Sequence, residues 1–434
     1  MVTQATHSLR WEIIDSKANF CVLDIIIPAI LVDAVYKEAT HSQKKITSPF
    51  GFHKRETPSA YIEQNYQVNL VEHTRGFLLK YLVINFLHNV IQQKKILVAG
   101  SPRLANITFK PNNDAHFTFD LSLFAPISFQ EWRYLPFKAP KRKNYKDLDR
   151  QVESFIQEEI ESKQANTTPG VNIGDWINFS ITLLNEDKHP ILNGHTANFW
   201  FKIGDEEPDK PAHELFLHKK NGESFCTTHG IIQDYFSNEL RTNYHFAITI
   251  LDIVPYTYFC FDQFKQHFRI KSNKEMYQKL IEVFSYRNDL SLRRTMVEET
   301  FKLLFSKHKF EIPNHLVLRQ QKQVLTAVQN NPDYHVYRVQ KDFKEVVREL
   351  AEKQIREEIF IDQLAHEEEI QVTAHDIKNY LNFTKRSRML EFLYFRPPQT
   401  KINSQEYPIL THELIPTCLR EKMVNHMIHQ LTKK

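Results

Sequence analysis

Hydrophobic residues follow strand and helix periodicities in alternation over the first third of the chain. β-Branched and aromatic residues dominate ANFCVLDIIIP, residues 18–28, which predicts a strand. The apolar positions then recur at helical spacing, so the pattern predicts a helix over 29–43. Pro58 suits the first turn of a second helix, whose pattern continues to about Lys95 with Gly76 as the expected break. Strand-like segments follow at 96–99, 103–110 and 115–124.

The rest of the chain divides into a polar segment, a strand-rich segment and a helical segment. Residues 136–170 are charged and polar with a helical middle, which is typical of an arm or linker. Residues 174–253 contain DWINFSITLL, TANFWFKI and NYHFAITILDIV, which predict a compact β domain. Apolar stripes at helical spacing then run to the end of the chain. Thr373 and Asp376 form the pattern of a capping box that opens a helix over 374–395.

Composition and charge exclude several classes of protein. The chain has 434 residues, of which 41% are hydrophobic and 25% charged, as in a multidomain globular protein. Its net charge of +4 is too small to indicate a DNA-binding protein, so any contact with RNA has to come from a local patch. The four cysteines lie far apart, which fits a reducing compartment. No segment has the pattern of a signal peptide or a membrane span, so we expect a cytoplasmic protein.

Motifs for catalysis or cofactor binding are missing from the sequence. The chain contains no GxxxxGK[ST], GxGxxG or GxSxG pattern, so no nucleotide or other cofactor is predicted. HELFLH approaches a helical zinc motif, but His213 and His218 are five positions apart and face different directions. We therefore predict surface histidines there and no metal site. The absence of these motifs does not address a catalytic site assembled from residues that are distant in sequence.

The segment SPFGFHKRETPSAY, residues 48–61, joins the two predicted helices and has the features of a docking loop. The chain has only 9 glycines, and Gly51 supplies a position that tolerates a left-handed backbone. We expect Phe52 to be exposed at the loop tip. An exposed aromatic ring beside clustered cations fits docking onto RNA and a protein surface together. The alternative is a solvated turn whose phenylalanine folds back into a core. The basic side chains of the loop are His53, Lys54 and Arg55.

This segment resembles the ribosome-docking signature of bacterial trigger factors, roughly G-F-R-x-G-K-x-P, which lies between two helices of their N-terminal domain. KILVAGSPRL at 95–104 and FTFDLSLFAPISF at 117–129 look like later strands of that domain. The strand-rich middle looks like an eroded FKBP-type domain. EIPNHLVLRQQKQVL and KQIREEIFIDQLAHEEEIQVTAHDI look like the family's helical C-terminal region. The order of the three parts matches the family across nearly the whole chain.

The resemblance implies an α+β multidomain fold. Its parts would be an N-terminal α/β ribosome-docking domain, a β-rich FKBP-like middle domain and an all-α C-terminal chaperone domain with arms. The implied boundaries are 1–135 for the first domain, 136–170 for a linker or arm, 171–254 for the middle domain and 255–434 for the helical domain. The family also implies that the helical domain lies between the other two in space.

The resemblance further implies docking to the large ribosomal subunit near the exit tunnel, through both protein and rRNA. His53 stands where arginine is usual, and Arg55 with Glu56 replaces a Gly-Lys pair, so a free cytosolic holdase that no longer docks is an alternative. Nascent polypeptides are the implied clients, with no membrane and no DNA as partners, and the oligomeric state, monomer or dimer, stays open. The residues assigned to ribosome binding are Gly51, Phe52, His53, Lys54 and Arg55.

The FKBP-type resemblance implies peptidyl-prolyl cis–trans isomerase activity. Isomerisation needs no nucleophile, only an apolar, water-poor pocket that favours the twisted amide. At the pocket floor the chain departs from the family, because Asp209 and Lys210 would place charges there and Ala212 replaces an aromatic residue. We therefore expect activity to be weak or lost, with an active isomerase as the alternative. The candidate pocket residues, which also fit an ordinary β-domain core, are Phe179, Phe199, Tyr235 and Phe246.

The main hypothesis from the sequence is an ATP-independent, ribosome-associated chaperone that keeps nascent chains open and folding-competent. Exposed apolar patches on the helical region would bind the clients, as the family's arms do. Helical spacing alone does not distinguish such a cradle from a helical core. The candidate client-binding residues are Phe301, Phe305, Phe310, Phe392, Tyr394, Phe395, Met423 and Met427.

Overall fold

The fold is known from a computed structural model that describes most of the chain. Its strands form three antiparallel sheets across the described residues. None of the helices in this part of the chain combines the length and apolar character that crossing a bilayer requires. The described ranges are 8–17, 19–124, 126–140, 147–165, 170–236, 240, 242–285, 292–329, 331–402 and 404–433.

The N-terminal region is a four-stranded sheet with helices packed against one face. Its elements are β1 (Arg10–Lys17), β2 (Phe20–Ile27), α1 (Ala29–Ile46), α2 (Ser59–Asn65), α3 (Gln67–Leu78), α4 (Ile84–Gln93), β3 (Arg103–Thr108) and β4 (Ala115–Ser122). The strand order is β1-β2-β4-β3. Side chains alternate along β4, so Phe117, Phe119 and Leu121 are buried in the core while their neighbours lie outside it.

Most elements predicted for this region are confirmed, with three differences. The segment 96–99, predicted as a strand, forms only an isolated bridge between Val98 and Leu123. The break in the second helical segment falls at Tyr66, whose φ of −114° separates α2 from α3. Gly76 lies inside α3, where a single glycine is tolerated because buried Phe77 anchors the helix. Strand β1 was not predicted, because its exposed charged positions hide the strand periodicity. A π-helical turn at Leu79–Val83 joins α3 to α4.

A helix and a five-stranded sheet form the middle of the chain. The segment predicted as an arm or linker contains α5 (Leu148–Ala165), which packs on the C-terminal helices. The elements that follow are β5 (Trp176–Leu184), β6 (Ala197–Lys202), α6 (Lys210–Phe216), β7 (Ser224–Thr227), α7 (Gly230–Phe236) and β8 (His245–Val254). The three long strands match the three predicted segments, because each carries an apolar face that the helices bury.

The C-terminal region is mainly helical. Thr373 and Asp376 make the predicted capping box, but the helix that they open ends at Thr384 and a separate short helix follows. The elements are α8 (Phe261–His267), α9 (Asn273–Ser285), α10 (Leu292–Lys307), α11 (Asn314–Gln329), α12 (Tyr334–Tyr337), α13 (Phe343–Glu367), α14 (Ala374–Thr384), α15 (Ser387–Phe392), β9 (Lys401–Ile402), β10 (Gln405–Glu406), β11 (Ile409–Leu410) and α16 (Thr411–Thr432). The mixed α+β class is thus confirmed, with short strands added to the helical part.

Strand β11 belongs to the middle sheet, although it lies close to the end of the chain. Its two residues pair with β6, Ile409 opposite Trp200 and Leu410 opposite Phe199. The resulting strand order is β11-β6-β5-β8-β7. The C-terminal region therefore protects an edge that β6 would otherwise expose.

The N-terminal helices pack directly on the middle sheet, and the two regions share one hydrophobic core. The ring centroid of Phe77 lies 4.9 Å from that of Phe236 and 5.5 Å from that of Tyr244. The Tyr81 hydroxyl donates a hydrogen bond to Ile181 O at 2.8 Å. The expectation that the helical region separates the other two in space is therefore wrong for this chain. Burial of these aromatic surfaces against each other favours the direct contact.

This contact contains a buried histidine that makes stability depend on pH. His73 Nε2 lies 2.7 Å from the Tyr244 hydroxyl, and burial, with a smaller effect of Lys80, lowers the pKa of His73 to about 4. The unfolded chain therefore binds more protons than the folded chain between about pH 6.5 and about pH 4. Stability is retained above this window and is lost as the pH falls through it.

We expect His73→Gln to flatten the acid branch of the stability curve. Over about pH 6.5 to 4 the slope of unfolding free energy against pH should fall by up to about 1.4 kcal/mol per pH unit, because one titrating group is removed. Urea unfolding at a series of pH values measures it. His53→Gln, at an exposed position, is the matched control and should leave the slope unchanged. An unchanged slope in His73→Gln would contradict the assignment of this pH dependence to His73.

Candidate functional site

The loop between α1 and α2 consists of two consecutive β-turns. Phe52 N donates to Pro49 O at 3.1 Å, and Glu56 N donates to His53 O at 3.0 Å. The third residue of each turn has a positive φ, 89° at Gly51 and 73° at Arg55, which is the feature of a type II turn. This geometry accounts for Gly51 and for the glycine that the trigger factor pattern has at the position of Arg55.

The two phenylalanines of this loop have opposite environments. Phe50, at the second position of the first turn, is 104% exposed relative to a reference residue. Phe52 is half-buried, and its ring centroid lies 5.0 Å from that of Tyr61 on α2. The expectation that Phe52 is exposed at the loop tip is therefore wrong, because the turn directs its ring back to the helix. Sequence reasoning missed Phe50, and its place at the second position of a turn closed by Gly51 is the signal that could have found it.

The cationic part of the loop lies in the second turn. His53, Lys54 and Arg55 are all exposed. Within the described part of the chain no ion pair involves Lys54 or Arg55. Lys45, just upstream, instead contacts Glu186 in the β5–β6 connection, so its charge is already paired within the chain. The loop thus presents an aromatic tip followed by unpaired cations, which can bind a surface that combines apolar groups and phosphates.

The structure brings the four predicted pocket residues into one aromatic cluster. The Phe199 ring lies 5.8 Å from Phe179 and 5.1 Å from Tyr235, and Phe246 joins the cluster through Phe236 at 5.7 Å. Phe179, Phe199 and Phe246 are fully buried. The cluster is therefore a filled core without an open pocket at its centre.

The N-terminal region covers this cluster. Phe77 and Tyr81 contact Phe236 at centroid distances of 4.9 and 5.8 Å. Lys80 Nζ donates to Tyr235 O at 2.8 Å and lies 5.3 Å from the Tyr235 ring. Burial raises the pKa of the Tyr235 hydroxyl above its ordinary range. A peptide could reach the buried rings of Phe179, Phe199 and Phe246 only after the groups packed around them had moved away.

The charges predicted at the pocket floor lie elsewhere. Asp209 is buried, but its Oδ1 accepts a hydrogen bond from Glu406 N at 2.8 Å and so faces the C-terminal strands. Lys210 is exposed and contacts Glu207 at 2.6 Å. Ala212 is buried on the core side of α6. Neither of these contacts involves a ring of the aromatic cluster, so the expectation of charges lining that cluster is not met among the described residues.

The eight candidate client-binding residues divide into two groups. Buried in helical cores are Phe301, Phe392, Met423 and Met427. Partly buried at the edge of the core are Phe305, Phe310, Tyr394 and Phe395. The first group cannot contact a client in this conformation, because α10, α13 and α16 pack around Phe301, Met423 and Met427, and Phe392 is buried in the core that includes residues of α8, α9 and α14.

Exposed apolar side chains concentrate instead at the end of the α11–α13 hairpin. Val336 is 61% and Val339 75% exposed in the connection, and Val346 and Leu350 are 49% and 40% exposed on α13. Beneath them is only a small core, formed by Val324, Val347 and Ala351 with partly buried neighbours. Val339, Val346 and Leu350 follow helical spacing in the sequence, but spacing alone does not separate buried from exposed positions. We call Val336, Val339, Val346 and Leu350 the hairpin patch.

A cavity of about 860 Å³ lies where the N-terminal and C-terminal regions meet. Its N-terminal wall is apolar and includes Leu87, Ile91 and Leu104. Its C-terminal wall carries charged groups, among them Arg420 and Asp362, which form a bidentate ion pair with each other. An extended polypeptide segment with apolar side chains on one side fits such a cleft.

Backbone strain in the docking loop is testable by exchanging glycine and non-glycine residues. Arg55→Gly should raise the free energy of unfolding by about 1 kcal/mol, because it removes a non-glycine residue from the left-handed region. Gly51→Ala is the matched control and should lower it by about 1 kcal/mol, since no atom lies near the added Cβ and only the backbone angle opposes it. Urea unfolding measures both. A less stable Arg55→Gly protein would show that the Arg55 side chain itself stabilises the loop.

Comparisons with known proteins identify the family of this chain. The model of the bacterial trigger factor protein matches residues 11–158, and the model of the trigger factor C-terminus matches residues 262–392. A curated trigger factor from Geotalea daltonii is 21% identical over 82% of this chain and 83% of its own length. Another from Rickettsia prowazekii is 20% identical over 85% and 83%. A solved chain from work on promiscuous substrate recognition by the trigger factor chaperone is 15% identical, spans 97% of this chain and 100% of its own, and gives a TM-score of 0.37. On the two family matches and the curated relatives, the chain belongs to the trigger factor family of chaperones.

Proposed function

We propose that this chain is an ATP-independent chaperone of the cytoplasm that docks on the large ribosomal subunit near the exit tunnel and holds nascent polypeptides. The observation that carries the docking role is the loop of residues 48–58, with its exposed Phe50 and its exposed cations at Lys54 and Arg55. Apolar contact and phosphate contact from one short loop suit a surface made of both protein and RNA. Docking would place the apolar surfaces of the chaperone beside emerging chains.

The hairpin patch and the cleft between the terminal regions are the proposed client surfaces. A client in an extended conformation exposes apolar side chains, which the hairpin patch can cover without specific geometry. The cleft offers a second apolar wall. Loose binding on such surfaces needs neither ATP nor a catalytic group, because it depends on removing apolar area from water.

We propose that the middle sheet serves as a scaffold in this chain and does not catalyse prolyl isomerisation. Support comes from the aromatic cluster, whose rings are buried by α6, by α7 and by Phe77 and Tyr81 of the N-terminal region. Without an open apolar pocket, a proline-containing segment cannot exchange water for the environment that favours a twisted amide. Asp209 and Lys210 do not enter this argument, because Asp209 contacts Glu406 and Lys210 contacts Glu207.

Co-sedimentation with ribosomes from the source organism tests docking. We expect the wild type to bind, with affinity falling between about 50 and about 200 mM salt because phosphate contacts release counterions. The variant F52A/H53A/K54A/R55A should lose binding. K271A/K274A removes two exposed cations of the helical region and is the control that should bind like the wild type. Absence of wild-type binding, or equal binding by the loop variant, would favour a free holdase.

Refolding of a client limited by proline isomerisation separates holding from catalysis. We expect the wild type to suppress aggregation without accelerating the slow phase, which takes tens to hundreds of seconds uncatalysed. V336S/V339S/V346S should weaken suppression, because it makes the hairpin patch polar. Val68→Ser is the matched control, since Val68 is 74% exposed on α3, away from that patch. Acceleration of the slow phase by the wild type would overturn the scaffold role of the middle sheet.

A further inference from the structure

The outermost group of the docking loop is an apolar one. Phe50 is the most exposed large hydrophobic side chain among the described residues. Gly51 allows the turn that holds it outward, and Ile46, 38% exposed at the end of α1, lies four positions before it with Pro49 between. Exposure of an apolar tip of this kind to water is unfavourable. The free energy falls when a partner covers the tip.

We propose that Phe50 is the anchor of the docking loop and inserts into an apolar pocket on a protein component of the docking partner, while Lys54 and Arg55 contact phosphates beside it. This inference rests on the proposed docking function and assigns the contacts within it. Phe52 cannot act as the anchor, because its ring already packs on Tyr61. Its part is to fix the loop on α2 so that the first turn projects.

The apolar residues of the loop are separated from its cations. This separation favours a protein pocket over a stacked nucleobase as the binding site of the Phe50 ring. Rings that stack on single-stranded nucleic acid stand within a cationic groove that follows the backbone. Here the apolar residues Ile46, Pro49 and Phe50 lie in the first turn and before it, whereas the exposed cations Lys54 and Arg55 lie in the second. The first turn therefore contacts an apolar protein surface, and the second turn contacts phosphates.

This division predicts two different salt dependences. Loss of the Phe50 ring removes apolar contact, so it should weaken binding by about tenfold to hundredfold at low and at moderate salt alike. Loss of Lys54 and Arg55 removes phosphate contacts, so it should weaken binding mainly at low salt and reduce the slope of log affinity against log salt by about one to two.

The experiment measures the affinity for ribosomes of wild type, F50A, F50L, F50W, F52A, K54A/R55A and the control K271A/K274A at about 50 and about 200 mM salt. Phe50 is exposed, so these substitutions leave the fold intact, and circular dichroism checks this. We expect F50A to lose affinity with an unchanged salt slope, and F50L to retain most of it because leucine fills an apolar pocket.

Two results would overturn the assignment while docking stands. One is wild-type affinity in F50A together with lost binding in K54A/R55A, which would leave the tip without a role. The other is loss of binding in F50L with retention in F50W, which would identify stacking on a base. If the wild type itself does not bind, docking fails as a function and the anchor fails with it, an outcome distinct from both.

Discussion

The packing of Phe77 and Tyr81 against the aromatic cluster of the middle sheet is the contact on which the arrangement of this chain depends. It joins two regions that are distant in sequence into one core. The Tyr81 hydroxyl also accepts from Leu183 N at 3.2 Å, so the contact has a fixed register as well as apolar area. Because α1 and α3 pack together, the loop between α1 and α2 takes its orientation from the same contact.

This packing changes what the middle domain contributes. In a domain with an open aromatic pocket the rings would be available to a substrate. Here the rings pack within the chain itself, and their burial contributes to the free energy of folding. The ion pairs around Glu186 support the same interface from its rim, where hydrogen bonds from Lys45 and His41 lower the pKa of the Glu186 carboxyl to about 2. The middle sheet thus supports the loop between α1 and α2.

Local pattern predicted the elements well and their long-range contacts poorly. The strands Trp176–Leu184 and His245–Val254 and the capping box at Thr373 follow from side-chain periodicity and cap chemistry within a few residues. The glycine and the cations of residues 48–58 predicted a loop between α1 and α2. The choice between Phe50 and Phe52 depended on which turn position each occupies, and burial of Met423 and Met427 depended on helix packing. Neither is encoded in local spacing.

Strand β11 has a consequence for how the chain is made. Because Ile409 and Leu410 complete the edge beside β6, the middle sheet stays one strand short until residue 410 has been synthesised. Contacts between residues so distant in sequence form slowly and late. Until that strand is made, β6 presents an open sheet edge, which is a site where another chain can pair.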